Sequence, residues 1–134
     1  PKVIRSVLKG EPISIHSNPE RTKAGTRFYV HARNVSEAIH FLLLNVKPGE
    51  QYNIVGEKEI DNLTMAQFIA NVVGKPLKYE LVDFHSSRPG HDLRYALNGD
   101  KLYKLGFEYP KTFEKSLEKT IKLYLNNPKW LHLN

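Results

Sequence analysis

The sequence predicts a single mixed α/β domain. Three observations carry that expectation. The chain has 134 residues, which is one domain's length and enough to bury a modest core. Its hydrophobic content of 40% and charged content of 25% are those of a folded globular chain, not a disordered one. Short runs with strand-like alternation also interleave with longer runs whose apolar residues return every three or four positions.

The elements follow in order. Val3, Val7 and Leu8 have helical spacing, and Gly10 ends a helix over residues 1–9. "EPISIHS" is a short strand with Ile13 and Ile15 on one face, and "NPERTKAGT" is a polar loop. "RFYVHA" reads as a strand. Asn34 is expected to cap the next helix, with Glu37 as its capping-box partner. Val35, Ala38, Ile39, Leu42 and Leu43 would form that helix's apolar stripe. "QYNIVG" is expected as a strand. The next helix points Met65, Ile69, Val72 and Val73 inward and stops at Gly74. "LKYELVD" is a strand, "LRYAL" a strand or core segment with Tyr95 and Leu97 buried, and "DKLYKLG" a short helix closed by Gly106. Asp92 and Arg94 are expected to form an ion pair. The last helix begins after Pro110, with Phe113, Leu117, Ile121 and Tyr124 as its stripe and Glu118 four residues before Lys122.

Twenty Lys and Arg against fourteen Asp and Glu leave a net charge of +6. An anionic partner fits that balance, whether nucleic acid, a membrane surface or a phosphorylated small molecule. The longest apolar run is Phe41 to Leu44, far short of a membrane span. There is no cysteine, so no disulfide or thiolate metal site. "PKVIRSVLKG" lacks a secretory signal pattern, and a cytoplasmic setting is expected. It also lacks an initiating Met, so a piece of a longer chain is expected.

Several catalytic patterns are missing. No two of the eight glycines are closer than seven residues, which leaves neither a dinucleotide fingerprint nor a P-loop. No tyrosine has a lysine four residues on, and no Gly-x-Ser-x-Gly elbow occurs. His85, His91 and Asp92 have no recognised zinc spacing, so no metal is expected. Donors are plentiful instead. Arg27 opens a strand beside a glycine-containing loop, Asn62 sits at the mouth of a helix, and Arg88, His91 and Arg94 flank a Pro-Gly turn. Guanidiniums bind phosphate oxygens in bidentate fashion and stay charged, so two of them with neutral donors make a diphosphate clamp.

"SRPGHDLRYAL" resembles the Arg-Pro-Gly-His-Asp-x-Arg-Tyr-Ala segment of the nucleotide-sugar 4,6-dehydratases, members of the extended short-chain dehydrogenase/reductase superfamily. "TRFYVHARNVSEAI", "GEQYNIVGEKEIDNL" and the segment from Lys101 to Leu131 resemble further stretches of that family in order and spacing. Asn34, Tyr29 and Val55 depart from the family's usual aspartate, tryptophan and glycine. The resemblance implies a small mixed α/β subdomain that grips substrate and accompanies an N-terminal Rossmann domain. By it, Arg27 and Arg88 match diphosphate-binding arginines, and Asn62 and His91 match further donors. Ile13 and His16 match positions beside the base, where the family usually has tyrosine for His16, and Tyr124 matches a tyrosine that reaches the nucleotide.

The parent implied is an NAD-dependent hydro-lyase and homodimer acting on dTDP- or UDP-glucose. Such enzymes oxidise the sugar at C4, eliminate water across C5 and C6, and return the hydride to C6. The NAD and the acid/base groups would belong to the Rossmann domain, leaving this chain without catalytic residues, inactive alone and weak in nucleotide binding. Two other readings stand beside this one. One is the corresponding part of a UDP-sugar 4-epimerase or decarboxylase. The other is a basic nucleic-acid-binding module, which rests only on net charge and is disfavoured because the lysines are scattered over most elements.

Overall fold

The computed structural model describes residues 1–46, 48–83 and 92–133. In chain order these form helix α1 (Lys2–Lys9), strand β1 (Ile13–Ser17), strand β2 (Thr26–Phe28), helix α2 (Ala32–Asn45), strand β3 (Glu59–Asp61) and helix α3 (Asn62–Val73). Strand β4 (Tyr79–Asp83), strand β5 (Arg94–Tyr95), helix α4 (Asp100–Lys104), helix α5 (Phe113–Leu125) and a 3-10 turn (Pro128–Leu131) follow. The predicted mixed α/β architecture is the one observed. No described helix is long and apolar enough to cross a membrane.

Two small sheets share the domain. β1 and β4 run parallel, with Ile13 opposite Tyr79 and Ser17 opposite Asp83. β2 is central to the second sheet, antiparallel to β3 and parallel to β5. β1 alternates as its sequence demands: Ile13, Ile15 and Ser17 are buried, and Ser14 is exposed. The two isoleucines pack on Ala66 of α3, so the first sheet rests on that helix. On another side of α3, Ile69 meets Ile4 of α1, Ile121 of α5 and Leu131 of the 3-10 turn. A third cluster joins Ala38 of α2 to Leu102 of α4 and Phe107. There the Phe107 ring stands edge-on to Tyr109 with centroids 5.0 Å apart.

Gly10 and Gly74 take left-handed conformations at the ends of α1 and α3, as the helix-stop reading requires. α3 starts under the Asp61 carboxylate, which accepts from the amides of Leu63 and Thr64 at 2.9 Å each. In α5 the expected Glu118–Lys122 pair forms at 2.5 Å.

Four expectations are corrected. Asn34 does not cap α2; His31 does, its Nδ1 accepting from the Arg33 amide at 3.0 Å. Asn34 lies buried inside the helix and donates to the Lys111 carbonyl at 3.0 Å. Arg33 bridges Asn34 to Ser116 of α5, with contacts of 3.0 and 2.8 Å. This anchoring turns α2 so that Asn34 and Ala38 face inward while Ile39, Leu43 and Leu44 remain exposed.

The second correction concerns residues 51–56, which have no ladder partner among the described residues and are not a strand. Tyr52 and Ile54 still pack against the third cluster, so the apolar pattern was a burial signal rather than a pairing signal. The predicted strand "RFYVHA" likewise shortens to Thr26–Phe28, because His31 already begins the α2 cap.

Third, Tyr95 and Leu97 are exposed, at 43% and 61%. Fourth, Arg94 pairs with Glu59, its Nε and Nη2 reaching the two carboxylate oxygens at 2.7 and 2.9 Å. The β2–β3 and β2–β5 registers place both residues opposite ends of the same central strand.

Candidate functional site

Gly25 ties three separate segments together through its main chain. Its amide donates to the His16 carbonyl at 3.0 Å, and its carbonyl accepts from the Asn62 amide at 2.8 Å. The adjoining Thr26 amide donates to the Leu93 carbonyl at 2.9 Å. β1, the start of α3 and the segment entering β5 therefore meet at one buried residue. The loop that delivers Gly25 is folded on Asn18, whose side-chain oxygen accepts from the amides of Thr22 and Lys23 at 2.9 and 2.8 Å. A Cβ on Gly25 would lie 3.0 Å from the Leu93 carbonyl oxygen, 3.4 Å from Asn62 Nδ2 and 3.7 Å from Arg27 Nη1. Both side chains are donors singled out from sequence, and the missing Cβ of Gly25 leaves room for them on either side.

Arg27 is held on one edge. Its Nη1 donates to the carbonyls of Thr26 and Leu93 at 2.6 and 3.1 Å. Its guanidinium carbon sits 4.2 Å from the centre of the Tyr95 ring, a cation–π arrangement. The Nε–Nη2 edge meets no acceptor among the described residues. Asn62 is constrained too: its Oδ1 accepts a short hydrogen bond from the Tyr29 hydroxyl, and its Nδ2 meets no acceptor among the described residues.

Beside these donors runs a cleft of ≈ 240 Å³ lined by Ile13, His16, Tyr29, Asn62, Met65 and Lys2, among others. The structure thus brings Ile13, His16 and Asn62 to one cavity and sets Arg27 next to Asn62. Tyr124 is elsewhere, packed on the helical cluster of Ile4, Ile69, Ile121 and Leu131, with its ring 6.2 Å from that of Trp130. Arg88 and His91, together with His85, lie outside the described residues.

Sequence reasoning missed two contributors. Tyr29 lines both this cleft and a second cavity of ≈ 190 Å³ bounded by His31, Asn34, Glu57, Phe113 and Ser116. Its alternation with Arg27 along one extended segment was the available signal. Glu59 is the other. It takes up Arg94, which removes that guanidinium from the converging donors. The hydrogen bond from Arg94, then that from the Thr26 hydroxyl at 2.5 Å, hold the Glu59 carboxyl below its usual range.

The electrostatics favour an anion. Donors converge here, and a guanidinium does not surrender its proton near neutrality. Burial pushes the Tyr29 hydroxyl upward, so it stays protonated and keeps donating to Asn62 Oδ1. The free edge of Arg27 and the Nδ2 of Asn62 have the chemistry to receive charged oxygens beside a mostly apolar cleft.

No protein-family model matches the chain. Among curated proteins it is 34% identical over 138 residues to dTDP-glucose 4,6-dehydratase of Salmonella typhimurium, covering 98% of this chain and 37% of that protein. It is 32% identical over 130 residues to a trifunctional UDP-glucose 4,6-dehydratase/3,5-epimerase/reductase of Arabidopsis thaliana, covering 97% of this chain and 19% of that one. Among solved structures, dTDP-glucose 4,6-dehydratase of Bacillus anthracis in complex with NAD superposes with a TM-score of 0.78 at 29% identity. That match covers 97% of this chain and 40% of the other. UDP-glucose 4-epimerase of Thermus thermophilus shares the fold, with a TM-score of 0.73 at 22% identity over 90% of this chain and 38% of its own. The chain spans well under half the length of the relatives it matches. Over nearly its whole extent, the chain is a homologue of the nucleotide-sugar 4,6-dehydratases and aligns with the C-terminal part of dTDP-glucose 4,6-dehydratase.

Proposed function

We propose that this chain is the substrate grip of an NAD-dependent nucleotide-sugar 4,6-dehydratase, a hydro-lyase acting on dTDP- or UDP-glucose. The free edge of Arg27 and the Nδ2 of Asn62 hold the diphosphate, and Arg88 and His91 add further donors. Ile13 and His16 flank the base; Tyr124, expected from sequence to reach the nucleotide, packs on the helical cluster and is left out of this grip. The observation that carries this reading is that Arg27 and Asn62 flank Gly25, with Asn62 in the lining of the cleft that also contains Ile13 and His16.

In this reading the chemistry belongs to an N-terminal Rossmann domain and the assembled enzyme is a cytoplasmic homodimer. NAD supplies hydride acceptance and return there. No glycine pair in this chain has the spacing of a pyrophosphate cradle, so NAD is assigned to that domain. The present residues bind the substrate and orient it. They contribute no catalytic group, and the chain alone is inactive.

The test is isothermal titration of dTDP and UDP into the complete protein, with Arg27→Ala and Arg88→Ala as comparisons. Loss of a charge-assisted contact is worth about 1.5–3 kcal/mol, or roughly a 10- to 150-fold rise in Kd. Unchanged affinity in both variants would sink the assignment. Product analysis from dTDP- and UDP-glucose fixes the reaction: a 4-keto-6-deoxy sugar supports dehydration, and a galactose epimer identifies a 4-epimerase instead.

A further inference from the structure

We propose that Tyr29 is a positioning residue of this site, fixing the Asn62 carboxamide so that its Nδ2 rather than its Oδ1 faces the bound diphosphate. The inference rests on the reading of Arg27 and Asn62 as diphosphate donors. An asparagine carboxamide has two ends of nearly equal size and opposite character, one a donor and one an acceptor. A half-turn about its terminal bond would present a lone pair to a phosphate oxygen, replacing attraction with repulsion. Something must choose the orientation, and the Asn62 main-chain bond to Gly25 fixes only the backbone.

The Tyr29 hydroxyl makes that choice by donating to Oδ1, which sends Nδ2 toward Gly25 and Arg27. Tyr29 is itself well anchored. Its carbonyl oxygen and carbon would lie 2.2 and 2.7 Å from a Cβ on Gly56, a contact only glycine permits. Its ring is 6.4 Å from that of Phe113 on α5. The rigid tyrosine therefore transmits the placement of α5 and the 51–56 segment to the donor face of the cleft. Because the hydroxyl is desolvated, it keeps its proton through the range where phosphates are fully ionised.

The experiment is a double-mutant cycle on dTDP affinity in the complete protein, comparing wild type, Tyr29→Phe, Asn62→Ala and the double variant, with Arg27→Ala alongside. Tyr29→Phe keeps the ring and is expected to raise Kd about 3- to 10-fold with thermal stability nearly unchanged. In the Asn62→Ala background the same change is expected to do nothing, because Tyr29 acts through Asn62. Asn62→Asp keeps the contact to Tyr29 but turns the other arm into an oxygen, and should weaken dTDP more than Tyr29→Phe does. Independent, additive effects of Tyr29→Phe and Asn62→Ala would overturn the proposal, as would wild-type affinity in Tyr29→Phe or Asn62→Asp while Arg27→Ala is impaired. If Arg27→Ala and Asn62→Ala both bind dTDP normally, the diphosphate reading itself fails, and this inference fails with it.

Discussion

The Arg27 guanidinium lies over the Tyr95 ring, its central carbon 4.2 Å from the ring centroid. β5 is two residues long and exposed, so the ring contributes little as core. Its role is to hold a charged plane flat while Nη1 is tied to two carbonyls. Tyr95→Ala is expected to raise Kd for dTDP about 2- to 5-fold, the worth of an exposed cation–π contact. Tyr95→Phe should retain wild-type affinity. Equal affinities for all three proteins in titration calorimetry would remove Tyr95 from the site.

Gly56 is a steric requirement. With a Cβ set 2.2 Å from the Tyr29 carbonyl oxygen, alanine cannot be accommodated without moving one of two backbone segments. Gly56→Ala should destabilise the domain by roughly 3 kcal/mol or more, at the upper end of overpacking costs. Chemical denaturation reads this directly. A midpoint within error of wild type would mean that the segments part easily.

Gly25 predicts a different signature. The added methyl would press on the Leu93 carbonyl at 3.0 Å and lie near both donors. Gly25→Ala is expected to cost only about 1–2 kcal/mol of stability. Its dTDP affinity should fall further than that of any substitution at exposed loop positions nearby. Wild-type binding in a folded Gly25→Ala protein would show that the donors need not be so close.

His31 gives the fold a pH dependence. Burial, then the charges of Arg33 and Lys119, hold its imidazole below the usual histidine value. Its Nδ1 must be neutral to accept the Arg33 amide. The folded state therefore binds fewer protons at this site than the unfolded state does. The stabilisation is present above about pH 6.5, the ordinary histidine value, and is lost as pH falls toward the lower folded-state value. His31→Asn caps α2 without titrating in that range. Melting temperatures at pH 5.0 and 7.5 should differ more in wild type than in His31→Asn. Equal pH sensitivity would exclude His31 as the source.

Much of this was readable from sequence because it is local. Gly10 and Gly74 end helices by their own conformational freedom, and the α3 and α5 stripes follow from helical periodicity. Arg27 and Asn62 could be named because their chemistry is intrinsic. What escaped depends on distant partners. Asn34 and Glu37 look like a capping box, yet Asn34 is committed to a carbonyl 77 residues away. Tyr29 and Asn62 are 33 residues apart and meet side chain to side chain, while the β2–β3 register sets Asn62 beside Gly25 and not beside Tyr29. Arg94 seemed a neighbour of Asp92 and is bound to Glu59, across the strand order rather than along the chain. Arg88 and His91 lie outside the described residues.

The junction at Gly25 has an evolutionary consequence. Its ties to His16 and Asn62 run through amide and carbonyl groups that every residue except proline possesses. Side chains on the flanking strands can therefore drift widely without displacing the two donors. A mutational scan of the exposed residues 19–23 should reveal broad tolerance, between an intolerant Asn18 and an intolerant Gly25. A homologue sharing only a third of its residues with this chain can keep the same junction, because the scaffold that places Arg27 and Asn62 is written in the main chain.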